Sequence, residues 1–169
     1  MQRNQIQIHN VVPPEYGYKI FDTQLASELS KKNAVIDQIL SLLQAHLKLD
    51  TQDETWIRLC LDEVIINAIR HGNHEDPTKK VAIALFANQQ GWAIRVEDEG
   101  EGFSVSDLPN LDGQEYWEAE HGRGILLIQS YMDEIWYYDK GNRVQLFKRL
   151  QKPWRKWIKK ICQFFRVCS

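Results

Sequence analysis

"VEDEGEGFSVSD", residues 96–107, places Asp98, Gly100 and Gly102 in a DxGxG pattern directly behind a run that alternates like a β-strand. One carboxylate and two residues without side chains suit a point where the backbone must come close to something else. Such a pattern alone is more often a simple turn than a site, so its weight depends on its neighbours. Upstream, "LDEVIINAIRHGN" sets Glu63 and Asn67 four residues apart, on one face of a helix. Downstream, "HGRGILLI" sets Gly122 and Gly124 at a helix start, where unpaired N–H groups and the helix dipole favour an anion. Taken singly, Glu63 and Asn67 read as solvated helix residues. Asn67 interrupts the apolar run "VIINAI", however, and a buried amide needs partners, of which a cation on phosphate oxygens is one.

Around these motifs the hydrophobic pattern changes period several times. "QIQIHNVV" alternates as a short edge strand, and "VVPPEYG" ends it in a proline turn. From Leu25 to Leu47, apolar residues at Leu29, Val35, Ile36, Ile39, Leu40, Leu43 and Leu47 predict an amphipathic helix. A second helix starts near Asp50 or Thr51, where "DTQDE" offers a cap and early acids, and runs to a closing Gly72 in "HGNHEDP". "KVAIALFAN" and "WAIRVED" form an antiparallel hairpin about "QQG", "GRGILLIQSYMDE" a third helix, and "IWYYDKGNRVQLFKR" a last hairpin. Residues 103–122 lack sustained periodicity, carry five acids and read as a mobile loop. The expected fold class is an α/β two-layer sandwich, with helices on one face of a mixed, mostly antiparallel sheet.

With 169 residues and 43% apolar content, the chain builds one core and hardly two. The cysteines Cys60, Cys162 and Cys168 make no disulfide framework, and "MQRNQIQIHN" lacks the apolar segment of a signal peptide. Nowhere do about eighteen apolar residues run together. A reduced, cytoplasmic protein is expected. Residues 151–169 hold six Lys and Arg and no acid, leaving −8 for residues 1–150 against a total of −2. An acidic body argues against direct nucleic-acid binding. Trp154, Trp157, Ile158, Ile161, Phe164, Phe165 and Cys168 predict a basic amphipathic helix, suited to docking on the body, on a second copy or on an anionic membrane surface. His71 and His74 read as capping or surface residues and Cys60 as helix packing.

The three motifs, in order and spacing, resemble the N-box and two glycine boxes of the GHKL (Bergerat-fold) ATPases, over residues 25–150. Within that superfamily the chain looks most like the bacterial anti-sigma-factor serine/threonine kinases. The resemblance implies ATP and Mg²⁺ as cofactors. By it, Asp98 accepts from the adenine amino group, and Gly100 and Gly102 let the loop approach base and ribose. Asn67 coordinates Mg²⁺; Gly122, Arg123 and Gly124 hold the phosphates; Glu63 is the catalytic base; and residues 103–121 form a lid. Implied partners are a small antagonist (anti-anti-sigma, STAS-like) protein, a sigma factor or other regulator, and a second copy in a homodimer. The expected organisation is a kinase domain over residues 1–150 and the tail helix over 151–169. The alternative class is a non-catalytic ATP-binding module that sequesters a regulator. One departure stands out: many relatives use a Thr of the last hairpin toward adenine, and "GNRVQLF" has Asn142 and Arg143 instead.

Overall fold

The structure is a computed structural model, and it describes residues 7–8, 12–47, 49–102 and 122–150. The expected lid and tail helix fall outside these residues. Among the described residues six strands form one sheet in the order β1-β5-β6-β4-β3-β2. They are β1 (Gln7–Ile8), β2 (Tyr18–Ala26), β3 (Lys80–Ala87), β4 (Gly91–Asp98), β5 (Glu134–Tyr138) and β6 (Arg143–Arg149). All neighbours are antiparallel except β1 and β5, which run parallel. The mixed, mostly antiparallel sheet expected from the sequence is present, with the N-terminal strand at its edge.

Among the described residues three α-helices supply the second layer: α1 (Lys32–Leu47), α2 (Thr51–Asn67) and α3 (Gly122–Tyr131). Ile36, Ile39, Leu40 and Leu43 of α1, and Ile57, Cys60, Leu61, Val64 and Ile65 of α2, recur at three- and four-residue steps and are buried. They meet Ile83, Leu85, Ile94, Val96 and Leu146 of the sheet and Ile128 of α3 in one core. Fully burying each such side chain contributes about 1.5–3 kcal/mol. The opposite face carries, among the described residues, a small cluster in which Tyr16 stacks on Phe147 at 4.3 Å beside Ala93 and Phe86.

α2 begins where its sequence says it should. The Asp50 side chain accepts from the Asp53 N–H at 2.7 Å, and Asp53 and Glu54 lie in the first turn. α1 requires a correction. Leu25 belongs to β2, and the helix starts only at Lys32 after a 3₁₀ turn, Leu29–Lys31. Leu25 and Leu29 sit four apart and mimic a helical repeat, while a register shift between Lys19 and Phe21 breaks the alternation that would have marked the strand.

Candidate functional site

The site is organised along one continuous helical segment. α2 ends at Asn67 and passes into a π-helical turn, Ala68–Gly72. Asn67 therefore lies at the junction rather than mid-helix, half-buried, with no side-chain capping bond. π-turns inside helices are frequent at functional positions. Glu63 sits one turn earlier on the same face.

At the far end of this segment Gly72 faces Asp98. A Cβ built on Gly72 would lie 2.2 Å from the Asp98 Cγ, so only glycine leaves room for the carboxyl group. Gly72, expected to close the helix, does so without a positive φ; His74 and Glu75 carry that conformation. Its function is close approach. Asp98 Oδ1 accepts from the Gly100 N–H at 2.8 Å. Burial pushes the Asp98 carboxyl above its usual range, opposed by that N–H and by the charge of Lys140.

The two glycines after Asp98 are explained by neighbouring protein backbone. A Cβ on Gly100 would lie 2.2 Å from the Gly72 carbonyl oxygen. One on Gly102, which has φ +81°, would lie 1.9 Å from the Lys140 carbonyl oxygen. The DxGxG turn is thus wedged between the end of α2 and the turn of the last hairpin. Asn73, fully buried, locks it there: its Nδ2 donates to the Lys80 carbonyl at 2.9 Å and its Oδ1 accepts from the Glu99 N–H at 2.8 Å. Sequence reasoning passed over Asn73. The only signal was a side-chain amide behind the glycine in "HGN", and its bonds span seven and 26 residues.

At the near end, Glu63 meets the first turn of α3. Gly124 is buried, and a Cβ on it would lie 2.1 Å from Glu63 Oε2. Burial, reinforced by the adjacent charge of Asp62, raises the Glu63 carboxyl above its ordinary range. Asp62 itself pairs with Lys32. Gly122, Arg123 and Gly124 together open α3, where backbone N–H groups lack partners within the helix. Nine residues separate the Glu63 and Gly72 contacts along the helical segment, roughly 13 Å at about 1.5 Å per residue.

The last hairpin completes the Asp98 end. The Asp98 N–H donates to the Asn142 carbonyl at 3.0 Å, and Asn142 Nδ2 donates to the Asp98 carbonyl at 2.8 Å. Arg143 turns away and pairs with Glu97 at 2.7 Å and Asp139 at 3.5 Å. Asn142, not Arg143, is the residue beside Asp98. His71 and His74 are exposed and Cys60 is packed in the core, its thiol pushed up to about 12 chiefly by burial. Among the described residues no three His, Cys, Asp or Glu side chains gather to hold a metal, and no helix is long and apolar enough to cross a membrane.

A helix-backed mixed sheet with a carboxylate at the end of β4, an acid and amide on α2 and a glycine-opened α3 defines a GHKL-type domain. The histidine kinase-like ATPase domain family matches residues 25–148, and the chain belongs to that family. ATP binding is the property that this membership implies. Among curated proteins, it is similar to the anti-sigma F factor of Anoxybacillus flavithermus, 28% identical over 131 residues, 75% of this chain and 90% of the relative. It is also similar to the anti-sigma F factors of Oceanobacillus iheyensis, 32% identical over 110 residues (60% and 74%), and Geobacillus kaustophilus, 31% over 110 (60% and 74%).

Proposed function

We propose that this chain is a cytoplasmic serine/threonine protein kinase of the anti-sigma type, which binds Mg²⁺·ATP and phosphorylates a small antagonist protein. In such a partner switch the same chain would hold a sigma factor or another regulator until the antagonist competes. The names of its relatives support the anti-sigma part of this reading.

The observation that carries the reading is the pair of contacts along α2 and the π turn that continues it, Asp98 on Gly72 and Glu63 against Gly124, roughly 13 Å apart along that segment. That separation suits an extended nucleoside triphosphate, with its base at Asp98 and its terminal phosphate near Glu63. Asp98, ionised, accepts from the adenine amino group. The N–H groups that open α3 at Gly122, Arg123 and Gly124 suit the phosphate oxygens, and a cationic residue such as Arg123 in that turn suits an anion. Asn67 would hold Mg²⁺ through its amide oxygen; bound there, the ion neutralises charge on the phosphates. A single amide suits a cation that brings phosphate and water as its other ligands.

Glu63 takes the proton of the incoming serine or threonine hydroxyl. The hydroxyl oxygen then forms its bond to the γ-phosphorus as the bond to the ADP oxygen breaks. The raised Glu63 carboxyl is a stronger base than an exposed glutamate, and base efficiency improves as the pKa approaches the working pH. The test incubates the full chain with ATP labelled on its γ-phosphate and a panel of small candidate antagonists. Label should move to a serine or threonine of one of them. ATP-dependent binding without any transfer would replace the kinase by the sequestering module.

A further inference from the structure

We propose that residues 151–169 fold back on their own chain as an amphipathic helix, laying their apolar stripe in the cleft between the C-terminal half of α1 and the β3–β4 turn. The proposal is independent of the nucleotide reading, and the matched ATPase domain ends at residue 148, before this segment begins.

The cleft lies at a corner of the sheet's helix-covered face, where α1 leaves the sheet incompletely covered. Ile20, Leu42, Leu47, Ala87, Trp92 and Leu150 line it. Ile20, Leu42, Leu47 and Leu150 pack on the core yet stay partly exposed, and Tyr18, paired with Ala87 in the strand register, is 48% exposed. Covering such side chains removes apolar surface from water, which is favourable. The cavity volume is about 10 Å³, too little to enclose a small molecule, so the occupant it suits is a surface laid across it.

The chain brings such a surface to the spot. Leu150 leaves β6 into the cleft, and its N–H donates to the Gln90 carbonyl at 2.8 Å, which fixes the exit beside the β3–β4 turn. Pro153, a residue accepted in the first turn of a helix, follows three positions later, and Trp154 and Trp157 come directly after it. A helix from Pro153 to Ser169 would be roughly 25 Å long, about the length of α1. So short a tether gives docking on the same chain a high effective concentration, ahead of a second copy or a membrane surface. Charge agrees. Between Asp37 and Lys48, α1 has no Asp, Glu, Lys or Arg, so its wall of the cleft has no charge to desolvate, and the segment's six cations meet a body of net charge −8.

The test places a nitroxide on Cys162 of the full chain and reads amide signals by NMR. Cys162 stands beside the apolar stripe and not in it, Cys168→Ser removes the second site, and Cys60 is buried with its thiol pushed up to about 12, so it does not react. Signals of Leu42–Leu47 and Asn88–Trp92 should be lost, while those of Gly72 and of Gly124 persist. Trp157→Asp, which lies outside the ATPase domain and leaves it folded, should restore them. Signals that stay sharp throughout, or a loss spread evenly over the body, would overturn the proposal. A loss that appears as strongly when the nitroxide and the isotope label are on different chains would assign the segment to a second copy and overturn it too. So would sharp signals in a chain that pellets with phosphatidylserine–phosphatidylcholine vesicles at low salt, which would assign the segment to a membrane surface.

Discussion

The two ends of the site are built by different means. Around Asp98, the carboxylate, the glycines and the turn are tied by hydrogen bonds donated by the Gly100 N–H and Asn142 Nδ2 and one accepted by Asn73 Oδ1, and by close contacts that admit no Cβ at Gly72, Gly100 or Gly102. Around Glu63 the arrangement rests on packing and charge: a half-buried carboxylate against Gly124, with Asp62 beside it. A rigid acceptor set suits recognition of a fixed group, because it is already ordered before the ligand arrives. A destabilised carboxylate suits a group that must take up a proton. On this account binding and chemistry sit at two points of one helical segment, the π turn at Gly72 and the last turns of α2 at Glu63, and are separable by substitution.

The largest expected effect is on chemistry. Glu63→Gln should lower phosphate transfer by about 10²- to 10⁴-fold, measured under single-turnover conditions with label on the γ-phosphate. In the wild type, transfer should fall on acidification with an apparent pKa above that of an ordinary glutamate, since protonated Glu63 is no longer a base. A profile flat down to the usual carboxylate range would assign the proton to another group.

Next in size is the base-binding end. Asp98→Asn turns a donor toward the adenine amino group, and the unpaired contact should weaken ATP about ten- to a hundredfold by calorimetry. Wild type should prefer ATP to GTP by a similar margin.

Gly102→Ala sharpens the comparison from the side of stability. A side chain at φ +81° and against the Lys140 carbonyl should lower stability by about 1–3 kcal/mol in denaturant unfolding. Unchanged stability with lost ATP binding would mean that this glycine serves the ligand directly and not the packing of two turns.

The smallest effect has a sign that distinguishes the ends from ordinary surface. A carboxylate whose folded pKa is raised makes the ionised folded state less favourable relative to the unfolded chain. That penalty is present above the folded pKa and vanishes below the unfolded one. Glu63→Gln should therefore melt slightly above wild type at pH 7, and the difference should shrink as the pH falls through the range of ordinary carboxylates. Melting below wild type at pH 7 would contradict a destabilised Glu63.

Legibility in the sequence followed the range of the interactions. Local periodicity exposed α2, both hairpins and α3, and the four-residue spacing put Glu63 and Asn67 on one face. The bulge in β2 breaks its alternation, so residues 18–24 read as no element and Leu25 and Ala26 fall in with the following helix. Gly72, Asn73 and Asn142 act through partners 26 and 44 residues away, and no local pattern announces such bonds. The DxGxG glycines were found for one reason and are shaped by another, since the atoms they approach include protein carbonyls.

The central claim, that base recognition and proton transfer occupy separate points along the helical segment from Glu63 to Gly72, is tested most directly by titrating ATP into Glu63→Gln and Asp98→Asn side by side. The account predicts ATP affinity within about twofold of wild type for Glu63→Gln and a loss of about ten- to a hundredfold for Asp98→Asn. A loss in Glu63→Gln as large as that in Asp98→Asn would contradict it.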